Sequence, residues 1–383
     1  MKIIHVIPYF APQYGGPVTA LYQLSAEMAK KGHQVTIVTS DMNYDKKYIQ
    51  KLEESGVEIL PFHTVVNFGL FIYTPSMKKW VKKNLRQYDI IHLHSFRAYQ
   101  NSLITKYAIE DKIPIILQAR GSVLPFFEKQ FLKHIYDFLW GYTILKNASM
   151  IIALCETEAE QYQTMGVPRK KIRIIPNGID LSQFSNLPGK GTFRLKYDIS
   201  ENEKIVLFLG RIHKIKGIDL LIDTYFDLLQ ELPDVRLVIA GADDGFLSVI
   251  KDKIQQKNPK KIPLLTGPLY NQDKLAAYID ADVFVLPSRY ETFPNTVLEA
   301  WACGTPVIVT KGCLIADIIE KAGYVTSFNS IELKAAILKT FTHEKERVKN
   351  INSGLALIKT ELNLSACVQK IEEIYKETIM RNN

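Results

Sequence analysis

The amino-acid sequence predicts an α/β protein built from two doubly wound parallel sheets. Short apolar runs rich in β-branched residues alternate with helical patterns along the chain, which is typical of repeated βαβ units. The runs are nearly continuous in hydrophobicity, as expected for strands buried on both faces of a parallel sheet. Since the chain has 383 residues and one core rarely serves more than about 250–300, two domains are expected.

The predicted strands form two series separated by a linker. The first series is predicted at 3–7, 34–39, 90–94, 115–118, 150–154 and 172–175. The second is predicted at 205–209, 236–240, 262–265, 283–286 and 307–309. Helical patterns lie between the strands, and a last one ends the chain. Because residues 185–191 combine Asn, Pro and two Gly, they suit a linker, and domains are predicted at 1–180 and 181–364.

Composition excludes several classes of protein. Hydrophobic residues make up 47% of the chain and charged residues 23%, which is ordinary for a soluble globular protein. No uncharged apolar run reaches about 18 residues, so no spanning helix is predicted, and the first residues lack a secretory signal pattern. The four cysteines form no CxxC pair, which favours a reduced, cytoplasmic protein without disulfides or structural zinc.

The net charge of +8 is concentrated in the first half of the chain. Residues 1–180 hold 22 Lys and Arg against 15 Asp and Glu, whereas residues 181–383 hold 26 against 25. A basic first half indicates an anionic partner, such as nucleic acid, a phospholipid surface or a phosphorylated acceptor.

Two loops of the second half carry candidate ligand contacts. In the first, Gly210 lets the chain turn toward a ligand, and Arg211 and Lys216 add cations beside an electropositive helix start, which suits a diphosphate. A solvated basic loop is the alternative. In the second, Glu291 precedes a helix expected near residue 294, and Glu299 lies about 7.5 Å along it. The acids could hold the sugar and ribose of an extended ligand, or Glu299 could cap the helix or form a salt bridge.

The ordered set of motifs resembles the retaining GT-B glycosyltransferases of family 4. The pattern Gly-Arg-x4-Lys-Gly at 210–217 is followed by Glu291 and Glu299. Further matching segments lie at 15–16, 91–94, 175–180, 237–241, 265–269 and 302–307. The resemblance implies two Rossmann-like domains that face a central cleft, with a C-terminal helix at about 365–383 that packs back on the first domain.

The resemblance also implies an activity and a set of site residues. A sugar would pass, with retention and without metal or another cofactor, from a UDP- or GDP-type nucleotide-sugar to a glycan or lipid-linked acceptor in polysaccharide or glycoconjugate synthesis. Arg211, Lys216 and Glu291 are the implied catalytic residues. The implied donor-binding residues are Gly15, Gly16, Gly210, Leu269, Phe293, Asn295, Thr296 and Glu299. His94 and Arg120 are expected on the acceptor side of the cleft.

The chain departs from the family pattern at two positions. Arg120 stands where many members have a histidine followed by glycine, so a histidine proton relay is not expected there, and Arg120 is expected to contact phosphate or acceptor. Pro294 stands where glycine is common, and it removes one backbone donor.

No metal site is expected from the sequence. Asp280 and Asp282 form a DxD pair, but they precede the strand predicted at 283–286 and so lie at the wrong edge of the sheet for a ligand. His92 and His94 share one face of a strand, but no third ligand is expected nearby. No dinucleotide G-x-G-x-x-G and no P-loop pattern occurs in the sequence.

The segment 76–86 is the expected contact with an anionic membrane on its inner face. It carries five cations and an apolar strip of Trp80, Val81 and Leu85, as a basic interfacial helix does. Uncharged aromatic stretches at 65–73 and 124–127 are expected to be exposed beside it. A solvated helix face is the alternative, and a basic nucleic-acid- or membrane-binding protein on the same double Rossmann scaffold is the alternative function. Because base-reading motifs are missing, no nucleic-acid partner is expected.

Overall fold

The computed structural model describes residues 1–68, 71–125, 129–257 and 261–382, and the chain divides into two units. One unit comprises residues 1–178 and 364–383, and the other comprises residues 179–363. Each unit contains one large parallel sheet with helices packed against it. The prediction of two Rossmann-like α/β domains is confirmed.

The first unit contains nine strands and seven helices before residue 178 within the described part of the chain. The strands are β1 (Lys2–Val6), β2 (Gln34–Ser40), β3 (Val57–Phe62), β4 (Val66–Asn67), β5 (Ile72–Tyr73), β6 (Ile90–His94), β7 (Ile115–Gln118), β8 (Met150–Ala153) and β9 (Ile172–Ile174). The helices are α1 (Gly16–Lys30), α2 (Lys46–Glu53), α3 (Pro75–Asn84), α4 (Tyr99–Asp111), α5 (Gln130–Tyr136), α6 (Tyr142–Asn147) and α7 (Glu156–Thr164). The seven-stranded sheet has the order β3-β2-β1-β6-β7-β8-β9, and β4 and β5 form a separate antiparallel pair.

As far as the structure describes it, the second unit repeats this architecture with six strands. These are β10 (Lys204–Leu209), β11 (Val235–Ala240), β12 (Leu264–Gly267), β13 (Val283–Leu286), β14 (Val307–Thr310) and β15 (Tyr324–Thr326). Its helices are α8 (Thr192–Lys196), α9 (Ile218–Leu229), α10 (Leu247–Lys257), α11 (Asn271–Asp280), α12 (Asn295–Ala302), α13 (Ala316–Ile319), α14 (Ser330–Thr342) and α15 (Glu344–Thr360). The strand order is β12-β11-β10-β13-β14-β15.

The last helix, α16 (Leu364–Asn382), belongs to the first unit although it follows the second unit in the chain. Its apolar face is buried with residues of β1, β2 and α1. Tyr375, at the centre of that face, has no exposed surface. The helix therefore covers one face of the first sheet.

Both sheets have a switch point, where the strand order reverses. In the first unit it lies between β1 and β6, and in the second between β10 and β13. Ligands of doubly wound sheets bind beyond the carboxyl ends of the strands at such points. The loops that follow these four strands are therefore the places where a site is expected. No helix in the described residues is both long and apolar enough to cross a bilayer.

Candidate active site

Lys216 and Glu291 meet at the switch point of the second sheet. Lys216 ends a 3₁₀ turn in the loop after β10, and Glu291 lies in the loop after β13. The Nζ of Lys216 forms an ion pair with Oε2 of Glu291, and their side chains are only 15% and 19% exposed. The structure thus joins two of the three predicted catalytic residues, which lie 75 positions apart in the sequence.

The backbone holds the loops of this pair together. The N–H of Arg289 donates to the carbonyl of Ile215, and the N–H of Glu291 donates to the carbonyl of Gly312, both at 2.8 Å. These bonds connect the loops after β10, β13 and β14. Because main-chain groups make them, the positions of the two charged side chains are set by the fold.

Gly217 allows the closest approach between two of these loops. Its φ is +67°, and a Cβ there would lie 1.9 Å from the carbonyl oxygen of Pro287. No other residue type fits such a contact. On the outer side, the guanidinium of Arg289 forms an ion pair with Asp219 at 2.7 Å, which ties the same loop to the first turn of α9.

Glu299 is held by two residues of the neighbouring helix α11. Its Oε1 lies 2.7 Å from the Nζ of Lys274, and its Oε2 accepts a hydrogen bond of 3.1 Å from the Tyr278 hydroxyl. Burial and the nearby Glu299 carboxylate raise the pKa of Tyr278 well above its ordinary value, so this hydroxyl stays a donor. The salt bridge considered for Glu299 is therefore present, and 16% of its side chain remains exposed.

Lys274 and Tyr278 contact a candidate site residue, and the sequence analysis missed both. They are spaced i, i+4 on α11, a spacing that places two side chains on the same face of a helix. That spacing, just after the matching segment 265–269, is the pattern that could have identified them.

Arg211 forms its ion pair with a different acid from the one that Lys216 contacts. Its guanidinium pairs with Asp244, in the loop after β11, and its side chain is 49% exposed. Gly210 does not adopt a positive φ, so a tight turn is not what places glycine there. Instead, a Cβ at Gly241 would lie 1.8 Å from the carbonyl oxygen of Gly210, so these two strand ends touch through their main chains.

Three further predicted donor contacts, Phe293, Asn295 and Thr296, lie at or just before the start of α12, and Leu269 lies in the loop after β12. Pro294 is the N-cap residue and Asn295 and Thr296 are the first two helical residues, so the helix starts one residue later than its proline. Phe293 and Leu269 are 5% and 9% exposed and contribute little surface. The first turn of a helix presents N–H groups and a partial positive charge, which favour anions.

The DxD pair has structural partners for all four of its carboxylate oxygens. Asp280 accepts hydrogen bonds from backbone N–H groups at the start of α8, at 2.6–3.0 Å. Asp282 pairs with Arg194 and Lys204, both at 3.1 Å, and accepts a bond of 2.9 Å from the N–H of Ile205. These contacts join the amino-terminal end of β13 to β10 and α8.

In the first unit, the expectation about the histidines was wrong, because a third imidazole is present. His5 on β1 pairs in register with His92 on β6, and ring nitrogens of His5, His92 and His94 lie within 4.8 Å of one another. All three residues have no exposed surface. Their position on the two strands that flank the switch point could have revealed the cluster, but the strand order was not known from the sequence.

Hydrogen bonds determine the protonation of this cluster. The Nε of Arg120 donates to Nδ1 of His94 at 3.3 Å, so Nε2 of His94 carries the proton and donates to Nδ1 of His5 at 3.0 Å. Nδ1 of His92 lies 2.5 Å from the Tyr375 hydroxyl of α16. A guanidinium beside neutral imidazoles opposes binding of a divalent cation, so these contacts favour a hydrogen-bonded cluster over a metal site.

Burial controls the charge of the same groups. Desolvation, and then the Arg120 charge, lowers the pKa of His5 to about 3. The pKa values of His92 and His94 are also lowered well below the ordinary value, mainly by burial. The cluster is therefore neutral at pH 7. Burial lowers the pKa of Arg120 to about 10, which leaves its guanidinium charged.

Arg120, rather than His94, supplies the accessible polar group at this point. Arg120 is partly exposed, adopts a φ of +51°, and donates to the side-chain oxygen of Asn177 at 2.8 Å. His94 contacts it from the interior. Nearby, Gly15 has a φ of +74° in the loop after β1, and Gly16 is the first residue of α1. Gly15 and Gly16 follow β1, which is one strand of the first switch point, whereas Arg120 follows β7, the neighbour of β6.

The segment 76–86 lacks the exposed apolar strip that was expected of it. Val81 and Leu85 have no exposed surface, and Trp80 packs against the same core and stacks edge-on with Phe62. The exposed residues of the segment are Ser76 and the five cations, and Arg86 pairs with Asp111 at 2.7 Å. The strip completes the core, so its residues do not form the exposed apolar face that was expected.

The aromatic stretches expected beside it differ from one another. In the first, Val65 and Phe68 are 58% and 74% exposed, whereas Ile72 is buried. Residues 69–70 of that stretch and residues 126–127 of the stretch 124–127 lie outside the described residues.

Two family models match the chain. Glycosyltransferase Family 4 matches residues 14–183, and Glycosyl transferases group 1 matches residues 190–355. Together the two matches cover most of both units.

Named proteins and solved structures are similar over most of their length. The alpha-galactosylglucosyldiacylglycerol synthase of Streptococcus pneumoniae is 28% identical over 284 residues, which are 69% of this chain and 72% of that protein. The mannosylfructose-phosphate synthase of Agrobacterium fabrum is 25% identical over 377 residues, or 88% and 81%. Anabaena HepE, solved in complex with UDP and glucose, superposes with a TM-score of 0.82 at 18% identity and covers 98% of this chain and 100% of its own. The last likeness shows a shared fold.

Proposed function

This chain belongs to the GT-B glycosyltransferases of family 4, and we propose that it transfers a sugar from a nucleotide-sugar to a glycan or lipid-linked acceptor. The observation that carries the proposal is the pair of Lys216 and Glu291 at the switch point of the second sheet, beside the start of α12. A cation, an acid and a helix start together suit a ligand that has both a diphosphate and a hydroxyl-bearing sugar.

We assign the parts of the donor to separate groups. Lys216 and the first turn of α12 bind the diphosphate, and Arg211 adds a weaker contact because its side chain is half exposed. Glu291 accepts hydrogen bonds from sugar hydroxyls, and Glu299 accepts them from the ribose. In such a complex the diphosphate competes with Glu291 for the ammonium of Lys216.

The transfer breaks the bond between the anomeric carbon and a diphosphate oxygen. A new bond forms between that carbon and the acceptor oxygen, and the acceptor's proton ends on the departing diphosphate. Negative charge grows on the diphosphate as the bond breaks, and Lys216 offsets it in a partly buried position. We propose that this charge replaces a metal ion and that the anomeric configuration is retained.

The acceptor is assigned to the first unit. Arg120 is a partly exposed residue after β7, next to that unit's switch point, and its guanidinium is held by His94 and Asn177. A similar protein is named as a glycosyldiacylglycerol synthase, which supports a lipid acceptor in glycoconjugate synthesis. A neighbour solved with UDP supports a UDP-type donor.

The test is a thermal-shift screen of the chain with UDP, GDP and ADP and with their glucose and galactose derivatives. A ligand that binds only the folded state raises the melting temperature. We expect UDP and a UDP-sugar to raise it and ADP to leave it unchanged. If none of the nucleotides raises it at millimolar concentration, the proposed function is wrong.

A further inference from the structure

A helical segment of the first unit exposes far more apolar surface than its surroundings. It consists of α5, the π-helical turn Asp137–Gly141 and α6, and spans residues 130–147. Its exposed large hydrophobic side chains are Phe131 (76%), Leu132 (53%), Ile135 (40%), Phe138 (82%), Leu139 (50%), Trp140 (40%) and Tyr142 (52%). Contiguous exposed apolar residues of this kind mark an interaction surface.

The segment is exposed on one side although its other side packs into the core of the first unit. Phe131, Ile135, Phe138 and Tyr142 recur at intervals of three or four residues, and Leu132, Leu139 and Trp140 are exposed next to them. We call these seven side chains the apolar stripe. The opposite side contributes other residues to the core of the first unit. The buried residues are Tyr136, Asp137, Gly141, Ile144 and Leu145. The segment therefore has apolar residues on its exposed side as well as on its buried side.

A buried ion pair fixes the segment to the switch point of the first sheet. Arg97, in the loop after β6, donates to both oxygens of Asp137 at 2.8 and 2.6 Å, and the two side chains are 4% and 3% exposed. The Tyr136 hydroxyl donates to the carbonyl of Ala98 in the same loop at 2.7 Å. The apolar stripe is thus held rigidly beside the loop that follows His94.

Exposed cations lie near the stripe. Lys129 and Lys146 are exposed at its two ends. The helix α3 belongs to the same side of the sheet, because its buried residues share one core cluster with those of α6, and α4 contacts both helices. The exposed cations of α3 are Lys78, Lys79, Lys82 and Lys83.

This charge selects among the partners that an apolar stripe could have. A second copy of the chain would bring a like-charged surface against it, which is unfavourable. An anionic phospholipid surface complements both the apolar and the basic residues. The stripe supplies the exposed hydrophobic residues that the segment 76–86 lacks.

We propose that residues 130–147 insert their apolar stripe into the interface of an anionic bilayer, while the cations of α3 contact its headgroups. The membrane then lies beside the loop after β6, at the first unit's switch point. Delivery of a lipid-linked acceptor to that point rests on the proposed function, but membrane binding itself does not.

The experiment is co-sedimentation of the full chain with vesicles of phosphatidylglycerol and phosphatidylcholine. The test variant carries Phe131→Gln, Leu132→Gln, Phe138→Gln and Leu139→Gln. The matched control carries four equally exposed substitutions elsewhere, namely Leu195→Gln, Val249→Gln, Ile331→Gln and Met380→Gln. We expect the test variant to lower the partition coefficient more than about tenfold and the control to leave it unchanged.

Fluorescence of Trp140 locates the contact. The chain has three tryptophans, and Trp301 has no exposed surface while Trp80 packs on the core, so Trp140 is the one that a bilayer would reach. We expect anionic vesicles to shift the emission to shorter wavelength in the wild type and not in Trp140→Phe, which still binds. Equal vesicle binding by the test variant, or a wild type that ignores the vesicles, overturns the proposal.

Two further measurements separate the other outcomes. If the wild type dimerises at micromolar concentration and the test variant does not, without vesicle binding, the stripe is an interface between copies of the chain and the proposal is wrong. UDP affinity, measured by calorimetry, is expected to be the same in the wild type and the test variant. A chain that binds vesicles but no nucleotide would refute the proposed function and leave the membrane surface standing.

Discussion

Replacement of Lys216 by methionine removes the ammonium from the proposed diphosphate site. Methionine keeps most of the apolar stem, which limits the loss of packing. Lys214→Met is the matched control, because Lys214 lies in the same 3₁₀ turn but is exposed and contributes a carbonyl, not its ammonium, to the contact with Arg289. Each variant loses one positive charge, so the change in long-range electrostatic attraction to the nucleotide is the same in both.

The size of the effect follows from the burial of Lys216. Its side chain is 15% exposed, so its bond to a phosphate oxygen is poorly screened and is worth about 1.5–3 kcal/mol. This corresponds to a Kd for UDP that rises about 10- to 150-fold. Arg211→Ala is expected to have a smaller effect, because the Arg211 side chain is 49% exposed and screened by solvent.

Isothermal titration calorimetry with UDP and with inorganic pyrophosphate measures the effect. Lys216→Met should weaken both ligands, since the diphosphate is common to them, and Lys214→Met should change neither by more than about twofold. Circular dichroism confirms that each variant is folded. Wild-type affinity for UDP in folded Lys216→Met would refute the assignment.

The remaining predictions concern the two acids, the metal and the histidines. Glu291→Gln should lower kcat without weakening UDP binding, whereas Glu299→Gln should weaken UDP but not pyrophosphate; purely KM effects in both would contradict this division. Transfer should persist in EDTA, and activity lost in EDTA and restored by magnesium or manganese would reverse the interpretation of the DxD pair. Because burial lowers the pKa of His92 in the folded state, the unfolded chain binds the additional proton below about pH 6.5, and stability falls as the pH falls, by about 1.4 kcal/mol per pH unit and histidine. Urea unfolding between pH 7 and pH 5 should show a shallower fall in His92→Gln than in the control His134→Gln, whose side chain is exposed; equal slopes would contradict the assignment.

The sequence predicted most strands because they are buried on both faces. Such strands leave a continuous apolar run, and the predictions at 90–94, 115–118 and 283–286 agree with β6, β7 and β13 to the residue. The strand β3 was missed because it lies at the edge of its sheet, where Glu58 and Pro61 interrupt the run.

The sequence also located the loops of the site, but tertiary structure decided their contacts. Parallel strands place all their carboxyl ends at one edge, so the loop at 210–217 and Glu291 could be expected together. Which cation meets Glu291 depends on the main-chain path of both loops, and the structure gives Lys216 to Glu291 and Arg211 to Asp244. Local sequence contains no information on that pairing.

The two helical surfaces of the first unit are a second case in which local sequence does not determine the tertiary contacts. The pattern of 76–86 determined a helix with a basic side and an apolar side, but packing decided that the apolar side completes the core. The segment 130–147 has apolar residues on its buried and its exposed side. Core packing of Tyr136 and Ile144, together with the buried bond between Asp137 and Arg97, 40 residues away, decides which side faces outward. Amphipathic periodicity fixes which residues share a helix face, whereas the neighbours that a face meets are set by chain segments distant in sequence, and so only the tertiary structure reveals them.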